Sequence, residues 1–167
     1  MKVIKTIVTA LSWLILGIIL VYVLTALPML GGYRPIVVLS GSMEPAYPVG
    51  SLTYYHACSY EEIEVGDAIT FQAGDSLVTH RVTEKQELSR TFTTKGDNNE
   101  TEDVNPVSET DVVGKTVEMD IPYLGYFVTI GRNPVVIFLM GAILLLSYGL
   151  DVLEKKQRRS HETENEK

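Results

Sequence analysis

The chain has 167 residues, of which 46% are hydrophobic, and its formal net charge is −7. This length leaves room for one modest soluble domain once membrane segments are set aside. Residues 31 to 133 hold 7 of the 14 Lys and Arg residues and 16 of the 21 Asp and Glu residues, a formal charge of −9, which excludes the basic surface that a nucleic-acid partner requires.

The first predicted element is a membrane-spanning helix. No charged residue occurs between Lys5 and Arg34, and the run from Ile7 to Leu27 contains 21 residues, which span roughly 30 Å as a helix. A cleavable signal peptide is the alternative, but its apolar core is about 7–15 residues long and ends at a small-residue cleavage site. This run is longer and ends in Leu27-Pro28-Met29-Leu30, so a retained anchor is predicted.

The segment that follows is predicted to be rich in β-structure. Short runs of β-forming residues alternate with turn-forming pairs such as Gly66-Asp67 and Gly74-Asp75. Gly114 is the candidate position of a bulge. The predicted strands are Ile36–Leu39, Ser51–His56, Ala68–Gln72, Leu77–Lys85, Arg90–Lys95 and Val112–Met119.

Two of these strands, Leu77–Lys85 and Arg90–Lys95, are close enough in sequence to form a hairpin. A turn centred near Glu87-Leu88 places His80 opposite Lys95, to within about two residues. The loop 96–103, which carries Asp97 and Asp103, begins at this point. Spacing alone therefore brings His80 near a loop that bears aspartates, whereas His56 ends a strand with no acidic loop predicted beside it.

The second apolar run extends from Pro134 to Leu150, with no charge between Arg132 and Asp151. It is at the short end for a span, since about 17–25 residues are typical, and a buried or interfacial helix is the alternative. A basic cluster directly after the run favours a span that ends on the cytoplasmic side. This cluster consists of Lys155, Lys156, Arg158 and Arg159.

The expected topology has both termini in the cytoplasm, because Lys2 and Lys5 precede the first span. Residues 1–31 form a short N-terminus and a transmembrane helix, and 32–130 an extracytoplasmic β-rich domain. Residues 131–151 form a second transmembrane helix, and 152–167 a charged tail expected to be disordered beyond its first turn or two. The expected location is the plasma membrane, with two spans.

The pair Ser40 and Ser42 follows the first anchor closely. A serine hydroxyl is a poor nucleophile at neutral pH, so it needs an adjacent base, and the base needs a third group to orient it. One of these serines, His80 and an aspartate of the 96–103 loop offer these three groups. The alternative is a polar turn after a membrane anchor, with a histidine that is only a surface or packed residue.

Four sequence blocks resemble signal peptidase I, specifically its endoplasmic-reticulum-type branch, which also occurs in archaea and some Gram-positive bacteria. They appear in the family's order, and together with the segment 111–115 they cover most of the outer segment. Each block is weak alone, but four in order behind an anchor are specific. The blocks are Ser40-Gly41-Ser42-Met43-Glu44-Pro45, Gly66-Asp67-Ala68-Ile69, Thr79-His80-Arg81-Val82, and Lys95-Gly96-Asp97-Asn98-Asn99 with Asp103.

The resemblance implies a role for each matching residue. Ser42 resembles the nucleophile, and His80 the general base, at the position where the bacterial-type branch carries a lysine. Asp103 matches the essential aspartate that holds the base, and Asp97 matches a supporting aspartate. Ser40 matches a position whose hydroxyl helps to bind the oxyanion in the bacterial branch, alongside the Ser42 backbone N–H.

The resemblance further implies a mainly β catalytic domain outside the membrane, flanked by two transmembrane helices. The implied activity is a serine endopeptidase that removes signal peptides from secreted preproteins at Ala-X-Ala-like sites, at the lipid bilayer and without a cofactor or metal. Since an unperturbed histidine titrates near pH 6.5, activity is expected to fall below about pH 6. The sequence does not indicate whether accessory subunits take part.

Other interpretations exist for the whole chain and for single residues. A non-catalytic membrane scaffold explains the anchors but not the paired serine and histidine blocks, and a self-cleaving repressor-like protease is soluble and pairs Ser with Lys. Ile36, Val38 and Leu39 line a substrate pocket or a membrane-facing surface, or belong to the core, which is the commoner role for such residues. Cys58, the single cysteine, is expected to be a small apolar filler.

Overall fold

The structure, a computed structural model, describes residues 2–165, with side chains for residues 3–156. Residue contacts divide it into two units. One unit, Thr25–Thr129, contains the β-structure, and the other contains the helical segments that precede and follow it. The domain limits predicted from the sequence, 32–130 for the outer domain, stay a prediction.

The described α-helices are α1 (Lys2–Ala26), α2 (Leu124–Gly131) and α3 (Pro134–Asn165), and the helical unit contains most of α1 and all of α3. Among the described residues, two helical segments, Val3–Gly31 and Pro134–Lys156, are long and apolar enough to cross a membrane. Within this unit the Lys5 ammonium contacts two carboxylates of α3, that of Asp151 at 3.1 Å and that of Glu154. These contacts join the start of α1 to the part of α3 that follows its apolar run.

The tail after the second apolar run differs from the prediction. Instead of disorder beyond a turn or two, the backbone stays helical to Asn165. Glu, Lys, Gln and Arg are good helix formers, and extending a helix that already exists costs much less than starting one. The last two residues of the predicted tail, 166 and 167, lie outside the described residues.

Seven strands form a single antiparallel sheet within residues 2–165, in the order β1-β2-β7-β3-β4-β5-β6. The prediction of a mainly β domain between two apolar helices is confirmed. The six predicted strands recur with their ends shifted, while β6 was missed because two residues carry no periodicity. The strands are β1 (Tyr33–Val37), β2 (Leu52–His56), β3 (Ala68–Ala73), β4 (Ser76–Gln86), β5 (Thr91–Lys95), β6 (Val107–Ser108) and β7 (Val112–Ile121).

The first strand lies earlier in the chain than predicted, at Tyr33–Val37 instead of Ile36–Leu39. The observed strand includes Pro35, which cannot donate a backbone hydrogen bond. The strand tolerates the proline because β1 is at an edge of the sheet. The residues that follow β1 are thereby left free to form the serine turn.

The hairpin of β4 and β5 has the predicted partners with a register one residue from the predicted one. Lys95 pairs with Arg81 rather than with His80, and the register shifts between Val82 and Glu84. The extra residue at this bulge is Thr83, and such an insertion is not encoded in strand periodicity. His80 itself pairs with Ile69 of β3.

Gly114 lies beside a bulge in β7, as predicted. Thr70 of β3 pairs with Gly114, and the next residue of β3 pairs with Val112, so Val113 is the extra residue. A Cβ atom at residue 114 would be 2.1 Å from the carbonyl oxygen of His56. Only glycine therefore allows this close approach of β7 to β2.

The β-structure has one main hydrophobic cluster and a smaller one near the serine turn. The smaller cluster consists of Met43, Tyr47 and Ala68. In the main cluster the rings of Tyr60 and Phe92 stack with their centroids 4.9 Å apart. The main cluster consists of Tyr60, Ile63, Ile69, Phe71, Val82, Phe92 and Val107, and its packing fixes β3, β4 and β5 as a rigid support for His80.

Candidate active site

The turn that carries Ser42 is anchored on both sides. After β1, Val38 donates its N–H to the Ser51 carbonyl at 3.0 Å and accepts the Gly50 N–H at 2.9 Å. Residues Gly41–Met43 then form one turn of 3-10 helix, and the Met43 side chain is buried. Met43 anchors the turn because its side chain packs in the smaller hydrophobic cluster. The Ser42 side chain is left at the wall of an open cleft.

His80 lies on β4 with its ring buried and in contact with Ser42. Its Nε2 atom is 3.2 Å from the Ser42 hydroxyl oxygen. The ring meets the edge of Phe71, with centroids 6.3 Å apart and an interplanar angle of 71°. Backbone pairing and this aromatic contact fix the imidazole, so Nε2 is aimed at the hydroxyl within hydrogen-bond reach.

Asp103 holds the other nitrogen of the same ring. Its Oδ2 atom is 2.6 Å from His80 Nδ1 and accepts the Thr94 hydroxyl at 2.6 Å. The carboxylate partner assigns the ring proton to Nδ1, which leaves Nε2 as an acceptor for the Ser42 hydroxyl. Ser42, His80 and Asp103 thus form one continuous chain of polar contacts.

Asp97 contacts Arg81 rather than His80. The Arg81 guanidinium donates to both carboxylate oxygens of Asp97, at 2.7 and 2.6 Å, and to the Gly66 carbonyl at 2.7 Å. This hydrogen bonding with Asp97 raises the pKa of Arg81, despite the opposing effect of burial. These paired hydrogen bonds connect the loop after β5 to Arg81, the residue that follows His80. They therefore help to fix the position of that loop beside the site.

The loop after β5 also holds the serine turn, Gly41–Met43. Asn98 donates its backbone N–H to the Ser42 carbonyl at 2.8 Å and its side-chain amide to the Gly41 carbonyl at 3.2 Å. Gly96 lies against the same carbonyl of Ser42. One loop therefore fixes the serine turn and carries the aspartate that contacts His80.

Ser40 lies at the mouth of the turn, with its hydroxyl oxygen 3.4 Å from that of Ser42. The first N–H groups of a helical turn have no partner within the turn, and Ser42 is in the 3-10 turn that follows Ser40. The Ser40 hydroxyl thus lies next to the Ser42 oxygen, and the Ser42 N–H belongs to the same turn. Such donors suit a negatively charged oxygen.

The cleft beside Ser42 is a cavity of about 370 Å³ between the end of β1 and the first half of β4. Ile36, Val38 and Leu39 all line it, and Leu39 is 81% exposed. The three residues therefore form an apolar wall of the cleft, and Val38 also packs against the smaller hydrophobic cluster, so the commoner core role holds in part for Val38. The sequence left this open because a short apolar run has the same pattern in a core and in a groove.

Three functional contacts involve residues to which the sequence assigned no role. Arg81 binds Asp97, Asn98 binds the serine turn, and Thr94 binds Asp103. Arg81 and Asn98 lie inside the matched blocks and Thr94 directly precedes one, so their position was the only signal. No pattern shows that a threonine on a strand points at a carboxylate.

The remaining candidates lie away from these contacts. His56, at the end of β2, contacts the Tyr33 ring in a tilted arrangement with ring centroids 5.3 Å apart. Its Nδ1 atom is buried and has no hydrogen-bond partner among the described residues. Cys58 packs against the main hydrophobic cluster, and burial raises the pKa of its thiol, as suits an unreactive filler.

Comparison with known proteins identifies relatives of one kind. No family model matches the chain. It is 40% identical over 99 residues to signal peptidase I W of Bacillus subtilis (strain 168), an alignment that covers 57% of this chain and 52% of that protein. The chain therefore spans about half the length of this bacterial relative.

Eukaryotic relatives match over a longer stretch. The chain is 37% identical over 135 residues to a signal peptidase complex catalytic subunit of Rattus norvegicus, covering 70% of this chain and 69% of that protein. It is 30% identical over 128 residues to the corresponding subunit of Verticillium alfalfae, covering 66% of this chain and 74% of that protein.

Proposed function

Because the chain belongs to the signal peptidase family, we propose that it is a membrane serine endopeptidase that removes signal peptides from preproteins. The observation that carries the proposal is the line of contacts from Ser42 Oγ to His80 Nε2 and from His80 Nδ1 to Asp103. This line supplies a nucleophile, a base and an orienting carboxylate in the order that serine catalysis requires.

The proposed reaction proceeds by acyl transfer. His80 Nε2 takes the hydroxyl proton as Ser42 Oγ attacks the scissile carbonyl carbon. The tetrahedral intermediate collapses with cleavage of the C–N bond, and the imidazolium gives its proton to the leaving amine. Water, deprotonated by His80, then attacks the Ser42 ester; the C–O bond to Ser42 breaks, the imidazolium returns its proton to Ser42 Oγ, and the carboxylate product is released. Asp103 stabilises the imidazolium in both halves of the reaction, and base catalysis of this kind contributes about 10²–10⁴-fold.

The oxyanion of the intermediate needs donors next to Ser42. The Ser40 hydroxyl, 3.4 Å from the Ser42 hydroxyl, and the Ser42 backbone N–H are the groups that we assign to it. One donor of this kind typically contributes about 10²–10³-fold to the rate.

The substrate is proposed to bind as an extended strand in the cleft. β4 pairs with β3 through residues Ser76–Arg81, whereas β5 pairs with β4 from Arg81 onwards. The first half of β4 therefore presents its other edge to the cleft, where a peptide can add as a strand. A cavity of about 370 Å³ is at the small end of ligand sites, which favours small side chains such as those of an Ala-X-Ala site.

The proposed topology has two spans with both termini in the cytoplasm and the β-structure on the outer face of the plasma membrane. The basic residues that precede the first span and follow the second span support this orientation. The contacts of Lys5 with Asp151 and Glu154 support it as well, because they join the two flanking ends. Ser42 follows the first span by about a dozen residues, so the nucleophile meets preproteins where their apolar segments leave the bilayer.

A scaffold without catalytic activity is not favoured, because it gives no role to the contacts among Ser42, His80 and Asp103. The deciding experiment is cleavage of a preprotein whose signal peptide ends in Ala-X-Ala by the detergent-solubilised full chain, purified without other subunits. We expect cleavage that Ser42→Ala and His80→Ala each abolish at unchanged protein level. His80→Lys should also be inactive, because a lysine needs its own tuned pocket to act as a base.

The matched control for this experiment is His56→Ala, which removes the other histidine of the β-structure. It should retain activity per folded molecule, because His56 contacts Tyr33 away from Ser42. Full activity of Ser42→Ala would refute the proposed mechanism. Loss of activity in His56→Ala at normal stability would show that the wrong histidine is assigned as the base.

The orientation is testable by cysteine labelling after Cys58→Ala removes the native thiol. Ser160→Cys should react with a membrane-impermeant maleimide only after the cytoplasmic face is opened. Asp75→Cys, in the exposed turn between β3 and β4, should react in intact cells. The opposite labelling pattern would overturn the proposed topology.

A further inference from the structure

Thr94 contacts the candidate catalytic aspartate in two ways. Its side chain on β5 is completely buried, at 0% exposure, and its hydroxyl donates to Asp103 Oδ2 at 2.6 Å. Its carbonyl accepts the Asp103 backbone N–H at 2.8 Å. The oxygen that receives the Thr94 hydroxyl also lies 2.6 Å from His80 Nδ1.

The aspartate needs such an anchor because it is not on a strand. Asp103 lies in the loop between β5, which ends at Lys95, and β6, which begins at Val107. Its side chain is 26% exposed and lines an open hollow formed by this loop. Unless another group holds it, the Asp103 carboxylate is therefore free to rotate away from His80 into the solvent-filled hollow.

Thr94 is suited to prevent this turn because its own position is fixed. It pairs with Val82 in the β4–β5 ladder, and Val82 belongs to the main hydrophobic cluster. A donor held on a strand beside the cluster therefore sets the direction of a carboxylate held on a loop. A buried hydroxyl whose partner is charged makes one of the stronger kinds of hydrogen bond.

We propose that Thr94 is a positioning residue of the peptidase: its hydroxyl fixes the Asp103 carboxylate in the orientation that receives the His80 Nδ1 proton. This inference rests on the proposed function. Thr94 does not touch the reacting atoms and acts only through Asp103. Its role is distinct from that of Asp97, whose contact is with Arg81.

Replacing the hydroxyl with a methyl group should weaken catalysis more than substrate binding. In Thr94→Val an apolar group faces Asp103 Oδ2, so the carboxylate turns to solvent and the imidazolium formed during the reaction loses its partner. Loss of a hydrogen bond to a charged group should lower kcat by about 10- to 100-fold. KM should change less than about twofold, because Thr94 is not among the described residues that line the cleft.

The pH profile gives a readout that general destabilisation would not move. The His80 ring contacts the Asp103 carboxylate, the Ser42 hydroxyl and Phe71. Of these three only Asp103 is an acid, and a carboxylate in contact favours the charged form of an imidazole. Glu100 and Glu102 line the same hollow as His80, and both are unchanged in Thr94→Val. Displacement of the Asp103 carboxylate in Thr94→Val should therefore move the acid limb, which is the fall of kcat at low pH, to lower pH.

The experiment measures kcat, KM and the acid limb for the detergent-solubilised full chain with an Ala-X-Ala preprotein. Thr94→Ser, which keeps the hydroxyl, should restore most of the kcat lost in Thr94→Val. The matched control is Thr116→Val, which removes another buried hydroxyl, bonded to Thr70 at 2.8 Å. We expect this control to keep the wild-type kcat per folded molecule and the wild-type acid limb.

Wild-type kcat and an unmoved acid limb in folded Thr94→Val would overturn the inference, provided that Ser42→Ala and His80→Ala are inactive. If Thr94→Val does not fold, Thr94→Ser is compared with Thr94→Ala, since both lack the methyl group and differ only in the hydroxyl. Equal kcat for these two would also overturn it. Full activity of Ser42→Ala would instead refute the proposed function, and the inference with it.

Discussion

Gly96 lies directly against the carbonyl oxygen of Ser42: a Cβ atom at residue 96 would be 2.6 Å from that oxygen and 2.7 Å from the side-chain nitrogen of Asn99. Both distances are below any normal contact for carbon. The close approach lets the loop after β5 reach the serine turn, where the Asn98 N–H bonds to the same Ser42 carbonyl. A side chain at residue 96 would therefore push Ser42 away from His80, its proposed base.

We accordingly expect Gly96→Ala to lower kcat by about 100-fold, since a displacement of about 1 Å at a reacting group has an effect of this size. The measurement is preprotein cleavage per folded molecule in detergent. Gly141→Ala is the control, because a Cβ atom at residue 141 meets nothing within 4 Å. An active Gly96→Ala variant would show that the loop shifts without moving Ser42.

The Arg81–Asp97 pair should stabilise the fold measurably. Arg81 donates to both oxygens of Asp97, and both side chains are largely shielded from solvent. A double-mutant cycle of Arg81→Gln and Asp97→Asn is expected to give a coupling free energy of about 1–2 kcal/mol, after allowance for partial exposure. Denaturant unfolding of the full chain in detergent measures it.

The control cycle for this pair uses a weak ion pair of the same hairpin. Lys85 and Glu87 are 3.9 Å apart, and the Glu87 side chain is 76% exposed. The coupling of Lys85→Gln with Glu87→Gln should be below about 0.5 kcal/mol. Equal coupling free energies in the two cycles would mean that the Arg81–Asp97 pair contributes no more to stability than an exposed surface ion pair.

Stability should fall at alkaline pH in part because of Tyr47. Burial raises the pKa of Tyr47 from 10.0 to about 12, and its hydroxyl donates to the Val117 carbonyl at 2.9 Å. Because the folded-state pKa is the higher one, the contribution is fully present below pH 10.0 and is lost as the pH rises through about 12. Tyr47→Phe should therefore reduce the loss of stability across this window.

Unfolding midpoints of the full chain between about pH 9 and pH 12 test this prediction. Part of the alkaline loss should remain in Tyr47→Phe, because the hydrogen bond to Asp67 raises the pKa of Lys115 as well. Tyr123→Phe, at a tyrosine that is 77% exposed, should leave the pH dependence as in the wild type. If Tyr47→Phe does so too, burial of Tyr47 is not a cause of the alkaline limb.

Ile36 should limit the size of the side chain accepted before the cut. It lines the cleft and pairs with Thr53, which lines it too. Ile36→Ala enlarges the cavity, so the ratio of kcat/KM for a preprotein with Val before the cut to that with Ala should rise about 10-fold, as expected for a few methylene groups. Val65→Ala, at a residue that is 61% exposed, should not change the ratio.

The sequence alone predicted the elements whose signal is local. An uncharged apolar run of sufficient length marks a span, and alternating residues between Gly-containing turns mark strands. These signals predicted two apolar helices and six strands of the sheet. They missed β6 and the start of β1, because two residues show no period and a proline argues against a strand unless an edge position is known.

The order of the four blocks identified Ser42 and His80 as candidates, and the resemblance assigned Asp103 and Asp97 their separate roles. The residues by themselves did not separate the two aspartates, because both lie on one loop at the end of the same hairpin. Only the path of that loop in space brings Asp103 within 2.6 Å of His80 Nδ1 and turns Asp97 to Arg81. Loop paths depend on packing against distant residues, which local pattern does not encode.

The sequence by itself thus determined the apolar helices, most of the strands and the residue types needed for serine chemistry, since each depends on neighbours in the chain. The tertiary structure alone decided the bulge at Thr83, the cleft role of Ile36 and the Thr94 contact with Asp103. These depend on which strands meet across the sheet and on how closely backbones approach, as at Gly96 and Ser42. Contacts between residues far apart in sequence are set by the packing of the whole domain, and no single segment carries them.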